Sequence, residues 1–135
     1  MSILKNKSDE NRLAAHILLD NNHFSPSVHC SYYSCIQLMK YILLKDGLTE
    51  SELYEKQKIS EQNLHEFLIN HFFKELRSGN AFSQYRNTIG RLPELKQLRV
   101  DADYKAIEIS DEDARKAIQL SNRITSDLKF LNRIQ

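Results

Sequence analysis

Apolar residues recur at spacings of three and four along most of the chain, the pattern of helices that bury one face. In the first such stretch Leu13, Ala14, Ile17 and Leu18 form the stripe. Ser8, followed by Asp9 and Glu10, reads as its N-cap, with acids where the helix dipole favours them. Asn21-Asn22 reads as its end, because asparagine tolerates the left-handed conformation. The second helix has the sharpest start, with Ser25 as cap and Pro26 at the first helical position, and Gly47 marks its stop. Val28, Tyr32, Cys35, Met39 and Ile42 recur at four and three, while Tyr33, Ile36, Leu43 and Leu44 widen the apolar surface. This helix is therefore expected at the centre of the core.

Residues 48–59 are polar and charged, and read as a mobile loop or a loosely attached helical turn. A third helix is expected from Ser60, carrying Leu64, Phe67, Leu68, Phe72 and Leu76, until Ser78-Gly79-Asn80 breaks it. A fourth helical region, with Phe82, Tyr85, Ile89 and Leu92, is interrupted by Gly90 and Pro93, which leaves a short piece from Pro93 to Arg99. The last helix is announced by Ser110 with Asp113 three residues on, a capping-box variant. Its stripe runs through Ala114, Ala117, Ile118, Ser121, Ile124, Leu128 and Leu131. The predicted fold is all-α, an up-and-down bundle of four to five helices forming one domain over residues 1–135, with a mobile segment at 48–59.

Composition agrees with few, long elements. In 135 residues there are only 3 Gly and 2 Pro, and valine occurs only at Val28 and Val100, which starves strands of β-branched residues. With 19 basic and 18 acidic residues the net charge is +1, too small for a uniform positive field that would hold nucleic acid by phosphate neutralisation alone. From Lys74 to Arg99, however, Lys74, Arg77, Arg86, Arg91, Lys96 and Arg99 face only Glu75 and Glu94. This local basic excess reads as solvated helix faces or, secondarily, as an anion-facing surface. A polar start and aliphatic runs no longer than Ile42-Leu43-Leu44 give the expectation of a cytoplasmic protein without a membrane span. Cys30 and Cys35 lie roughly 140° apart on one helix and cannot bridge each other. They read as buried or half-buried thiols in a reducing compartment.

Two stretches carry a family resemblance. Ser27-Val28-His29-Cys30-Ser31-Tyr32-Tyr33-Ser34-Cys35 is similar to the paired-aromatic segment of HEPN domains, named for higher eukaryotes and prokaryotes nucleotide-binding. Leu98-Arg99-Val100-Asp101-Ala102-Asp103-Tyr104, followed by a capped helix with Asp113, Ala114 and Ala117-Ile118, resembles the Arg-x-x-Ala-Asp-Tyr segment and final helix of many prokaryotic members. The resemblance runs from about Ser8 to Leu131. It implies a helical homodimer with one of two modes of action. Some members are metal-independent RNases, often toxins, that bring together an Arg and a His with four to six residues between them. Others pair with a minimal nucleotidyltransferase.

The RNase pair is not intact in this chain. Counting from Arg99, the positions open to the His hold Tyr104, Lys105 and Ala106, and from Arg86 they hold Arg91, Leu92 and Pro93. A phenol, with an ordinary pKa of about 10, is a poor general base at neutral pH. The reading that follows is a non-catalytic HEPN module, partner of a minimal nucleotidyltransferase in a toxin–antitoxin-type pair, with nucleotide or RNA as ligand. The alternative is a metal-independent RNase with a divergent site, using Tyr104 or a His from elsewhere, such as His29 or His71.

The candidate ligand residues are Arg99, Asp103, Tyr104, Tyr33 and His29. Arg99 matches phosphate geometry, or makes an internal salt bridge to Asp101 or Asp103. Asp103 and Tyr104 read as ties of a loop to the bundle, Tyr104 burying its ring. Tyr32 and Tyr33 point roughly 100° apart, one into the core and one toward a groove, with His29 one turn before Tyr33. His16, Asp20 and His23 share a helix face, but about 10.5 Å of rise separates the two histidines, too far for one ion. No metal or cofactor is expected.

Overall fold

The structure, a computed structural model, describes residues 2–78 and 90–134, apart from the side chains of residues 73 and 75–78. Among the described residues there are six helices and no strand: α1 (Ile3–Asp20), α2 (Phe24–Lys45), α3 (Glu50–Ser60), α4 (Leu64–Ser78), α5 (Leu92–Tyr104) and α6 (Asp111–Leu131). The helical region expected over Phe82–Ile89 lies outside the described residues.

Central placement of α2 follows from its apolar surface. Val28, Tyr32, Cys35, Leu38, Met39 and Ile42 are fully buried, and α2 packs against α1, α4, α5 and α6. Side-chain contacts give the directions. The Ser8 and Ser27 hydroxyls donate to the Ser34 and Ala15 carbonyls at 2.7 Å each, so α1 and α2 run antiparallel. Cys35 meets Ser121, and Lys45 reaches the Asn132 carbonyl, so α6 runs parallel to α2. His29 faces Asp103 and Tyr33 faces Arg99, so α5 is antiparallel to α2. No helix among the described residues is long and apolar enough to cross a membrane.

The capping chemistry is realised most fully at α6, where the Ser110 hydroxyl accepts from the Asp113 N–H and the Asp113 carboxylate accepts from the Ser110 N–H. At the end of α1, Asn22 sits at φ 61°, and the N–H groups of Asn22 and His23 close on the carbonyls of Leu19 and Leu18. Gly47, at φ 105°, follows the C-cap of α2 in a backbone region that side chains rarely adopt.

Four expectations are corrected. Ser8 is not a cap: α1 begins at Ile3 with Ser2 accepting from the Lys5 N–H, and Ser8 is buried in mid-helix against Ser34. Likewise α2 starts before Ser25, at Phe24, so Ser25 and Pro26 sit inside its first turn. The segment read as a loop or helical turn holds the helix α3, capped by Thr49 on the Glu52 N–H and packed against α4, with Leu53 its one buried residue. The short piece starting at Pro93 runs on to Tyr104 as α5, so the bundle has six described helices rather than four or five.

The Ser8 correction has a measurable consequence. If Ser8 packs between α1 and α2, Ser8→Ala loses a buried hydrogen bond and about 1 kcal/mol. Ser8→Leu additionally overpacks the interface, by roughly 1–3 kcal/mol. At an exposed cap the two substitutions cost alike, so urea midpoints that separate Leu from Ala identify the buried site.

Candidate functional site

Where α2 and α5 cross, α5 carries Arg99 and Asp103 one helical turn apart, followed by Tyr104 at the helix end. The facing stretch of α2 supplies His29, Tyr32 and Tyr33. All five residues singled out in the sequence as candidate ligand residues are therefore brought together.

Arg99 is the organising group. Only 9% of it is exposed, and its guanidinium carbon lies 5.3, 5.4 and 5.1 Å from the ring centroids of Tyr32, Tyr33 and Tyr104. Its Nη2 donates to the Tyr33 hydroxyl at 2.9 Å and to the Tyr104 hydroxyl at 3.2 Å. Nε lies 3.0 Å from Asp103 Oδ2, an ion pair, although the N–H is not aimed at that oxygen and has no hydrogen-bond partner. Burial works against the charge on Arg99, but the phenols of Tyr33 and Tyr104, the Asp103 carboxylate and Tyr32 outweigh it, so its pKa is raised. Asp101 takes no part, being held instead by Lys105 and Gln97.

Asp103 Oδ2 also lies 2.8 Å from His29 Nδ1. A carboxylate only accepts, so Nδ1 carries the proton and Nε2 is left as the acceptor in the neutral ring. His29 stacks on Tyr33 with centroids 4.5 Å apart. Tyr32 is fully buried, whereas Tyr33 is half-buried at the rim, which is the division expected from their angular offset. Tyr104 departs from expectation: its hydroxyl is tied down, but its ring is 70% exposed because the residue closes a helix instead of folding back from a loop.

His65, from α4, is the functional candidate that the sequence analysis passed over. Its Nδ1 lies 3.2 Å from the Tyr32 hydroxyl, and its ring meets Tyr33 edge-on at 5.4 Å. The overlooked signal is its place on one face of α4 with Leu68, Ile69 and Phe72, all buried. Burial lowers the His65 pKa, and the positive charges of Arg99 and Lys96 lower it further. Burial similarly raises the pKa of the Tyr32 phenol and pushes the Cys35 thiol up to about 12, so Cys35 is a packing group. Half-buried Cys30 is raised too, by burial and by the Asp103 charge. Of the basic stretch, Arg86 and the side chain of Arg77 lie outside what is described, and Arg99 is turned inward. Among the described residues no group of three or more His, Cys, Asp or Glu is placed to hold a metal.

The lowered pKa of His65 sets a sign. The unfolded chain takes up this proton near the ordinary value of 6.5 and the folded chain only at lower pH, so the His65 contribution is complete above 6.5 and is lost as pH falls below it. Urea midpoints measured between about pH 7.5 and about pH 5.5 are expected to fall further for the native chain than for His65→Gln, which does not titrate.

The segments on which this site is built are those that resemble HEPN domains. No curated protein and no solved structure matches the chain. The family model of the HEPN domain matches residues 1–131, nearly the whole length, and the chain belongs to the HEPN domain family.

Proposed function

We propose that this chain is a non-catalytic HEPN module that binds nucleotide or RNA at the Arg99 and tyrosine cluster and serves as the partner of a minimal nucleotidyltransferase in a toxin–antitoxin-type pair. The observation that supports the non-catalytic reading is the engagement of Arg99. Its guanidinium is occupied by two phenols and a carboxylate of its own chain, so it is not a free cation poised over a scissile phosphate. Binding is supported by the exposed Tyr104 ring beside that cation, since aromatic faces next to positive charge accept nucleobases. The nucleotidyltransferase partner and the homodimeric state are part of this proposal and rest on the resemblance to those HEPN domains that act in such pairs.

A metal-independent RNase is the second reading, and one feature favours it. Asp103 orients His29 with its Nδ1 protonated and Nε2 free to accept a proton, close to Arg99 although no histidine follows Arg99 at the expected interval.

The two readings separate on purified protein and single-stranded RNA. Binding without cleavage is expected, weakened about tenfold or more in Arg99→Ala, which removes a charged contact, with helicity retained by circular dichroism. Cleavage by the native chain that disappears in His29→Gln would reverse the assignment. Affinity isolation of the tagged protein from its native cells, with bound proteins identified by mass spectrometry, tests the partner: recovery of a nucleotidyltransferase is expected.

A further inference from the structure

We propose that the phosphate contact of this site is made by the phenolic hydroxyls of Tyr33 and Tyr104, with Arg99 behind them as the charge that polarises them, and that they take a singly charged phosphodiester of a single-stranded oligonucleotide. The inference rests on the reading that the site binds nucleotide or RNA, and it identifies the atoms and the class of phosphate.

The argument begins with hydrogen-bond capacity. Arg99 is nine-tenths buried, and its Nη2 is shared between the two phenol oxygens. A phenol has one O–H to donate and an oxygen that accepts. Both oxygens accept from Arg99, and neither hydroxyl has an acceptor for its own proton among the described residues. Two O–H donors, each strengthened by a cation on the oxygen, are thus left to point away from the guanidinium. The roughly 120° fork of one guanidinium nitrogen sets the two oxygens about 5 Å apart, too wide for a single oxyanion to meet both without touching Nη2, so each hydroxyl takes a different non-bridging oxygen of one phosphodiester.

Charge then selects the phosphate. Asp103 lies 3.0 Å from Arg99 Nε, so the pair is formally neutral and offers no net positive charge to offset the second negative charge of a terminal phosphate. A phosphodiester carries a single charge and meets less repulsion. The Tyr104 ring is 70% exposed with the guanidinium carbon 5.1 Å from its centroid, which suits it to stack one base. A base stacked on it must have left a duplex, so the strand is single.

Tyr33→Phe and Tyr104→Phe test this, since each keeps its ring and Arg99 while deleting one hydroxyl; thermal melts establish that the variants fold. The probes are a short fluorescein-labelled RNA, the DNA of the same sequence, the RNA with neutral methylphosphonate linkages, and AMP. Each substitution is expected to weaken RNA binding roughly tenfold, the loss of one hydrogen bond to a charged group. The neutral strand should bind the native chain weakly, a comparison that needs no variant to fold, and should no longer distinguish it from the variants. AMP should bind more weakly than the strand. DNA binding as tightly as RNA would place recognition in the phosphodiester and base alone, and tighter RNA binding would add a 2′-hydroxyl contact; both outcomes support the hydroxyl pair if the Phe variants lose affinity for the tighter strand. RNA binding unchanged in both Phe variants, or AMP binding as tightly as the strand, overturns this inference and leaves the binding reading standing. Failure of the native chain to bind any of the probes overturns both.

Discussion

A guanidinium taken out of water must be surrounded by acceptors and counter-charge, and the placement of α5 on α2 answers that requirement at Arg99. The group is compensated from two elements at once: Asp103 and Tyr104 from its own helix, Tyr33 from α2. Neither helix alone could bury it. Removing one partner would leave a buried charge under-satisfied, which is far more costly than losing an exposed ion pair. The same contacts that dock α5 thereby assemble the aromatic surface proposed to meet a ligand.

α2 makes this possible because its sides differ. Toward α1 it presents Ser27, Ser31 and Ser34, small enough for close approach and able to bond the Ser8 and Ala15 backbone across the interface. Toward the core it presents Val28, Tyr32, Cys35 and Met39, and toward α5 it presents His29 and Tyr33. A slim polar seam on one side and a rigid aromatic rim on another let one helix support both packing and the site. Ser31 carries a buried hydroxyl without a partner among the described residues, a cost set against the close packing of α2.

Much of this was legible where chemistry is local. Ser110 with Asp113, and Asn21-Asn22, act through backbone groups three to five residues away, so sequence spacing carries the information. The split between Tyr32 and Tyr33 follows from helix geometry alone. What escaped depended on partners distant in the chain. Ser8 has the composition of a cap but a core environment set by Ser34, and His65 acquires its role only when α4 meets Tyr32. α3 hides a helix behind a polar sequence, since it starts on a Thr49 cap and buries only Leu53. The five candidate residues could be gathered from a family pattern, and an internal ion pair of Arg99 with Asp103 was one of the two readings the sequence left open, but not the bonds of Arg99 to the Tyr33 and Tyr104 hydroxyls.

That internal engagement ties the two functional readings to one geometric quantity, the freedom of Asp103. Its single oxygen Oδ2 lies 3.0 Å from Arg99 and 2.8 Å from His29, so the guanidinium and the imidazole N–H compete for the same acceptor. While Asp103 holds Arg99, the guanidinium stays beneath the tyrosines, and on the proposed reading it acts on a ligand only through their hydroxyls. Moving the carboxylate wholly to His29 would free the Arg99 Nε side and give the histidine a stronger orienting partner, the arrangement that acid–base chemistry on RNA would require. The described geometry has the carboxylate shared, with α5 helical through Tyr104 and both phenols anchored on Nη2. A rotation of Asp103 alone would not release Arg99, because the two tyrosines would still hold it, and that double restraint is the physical ground on which recognition, not cleavage, is proposed.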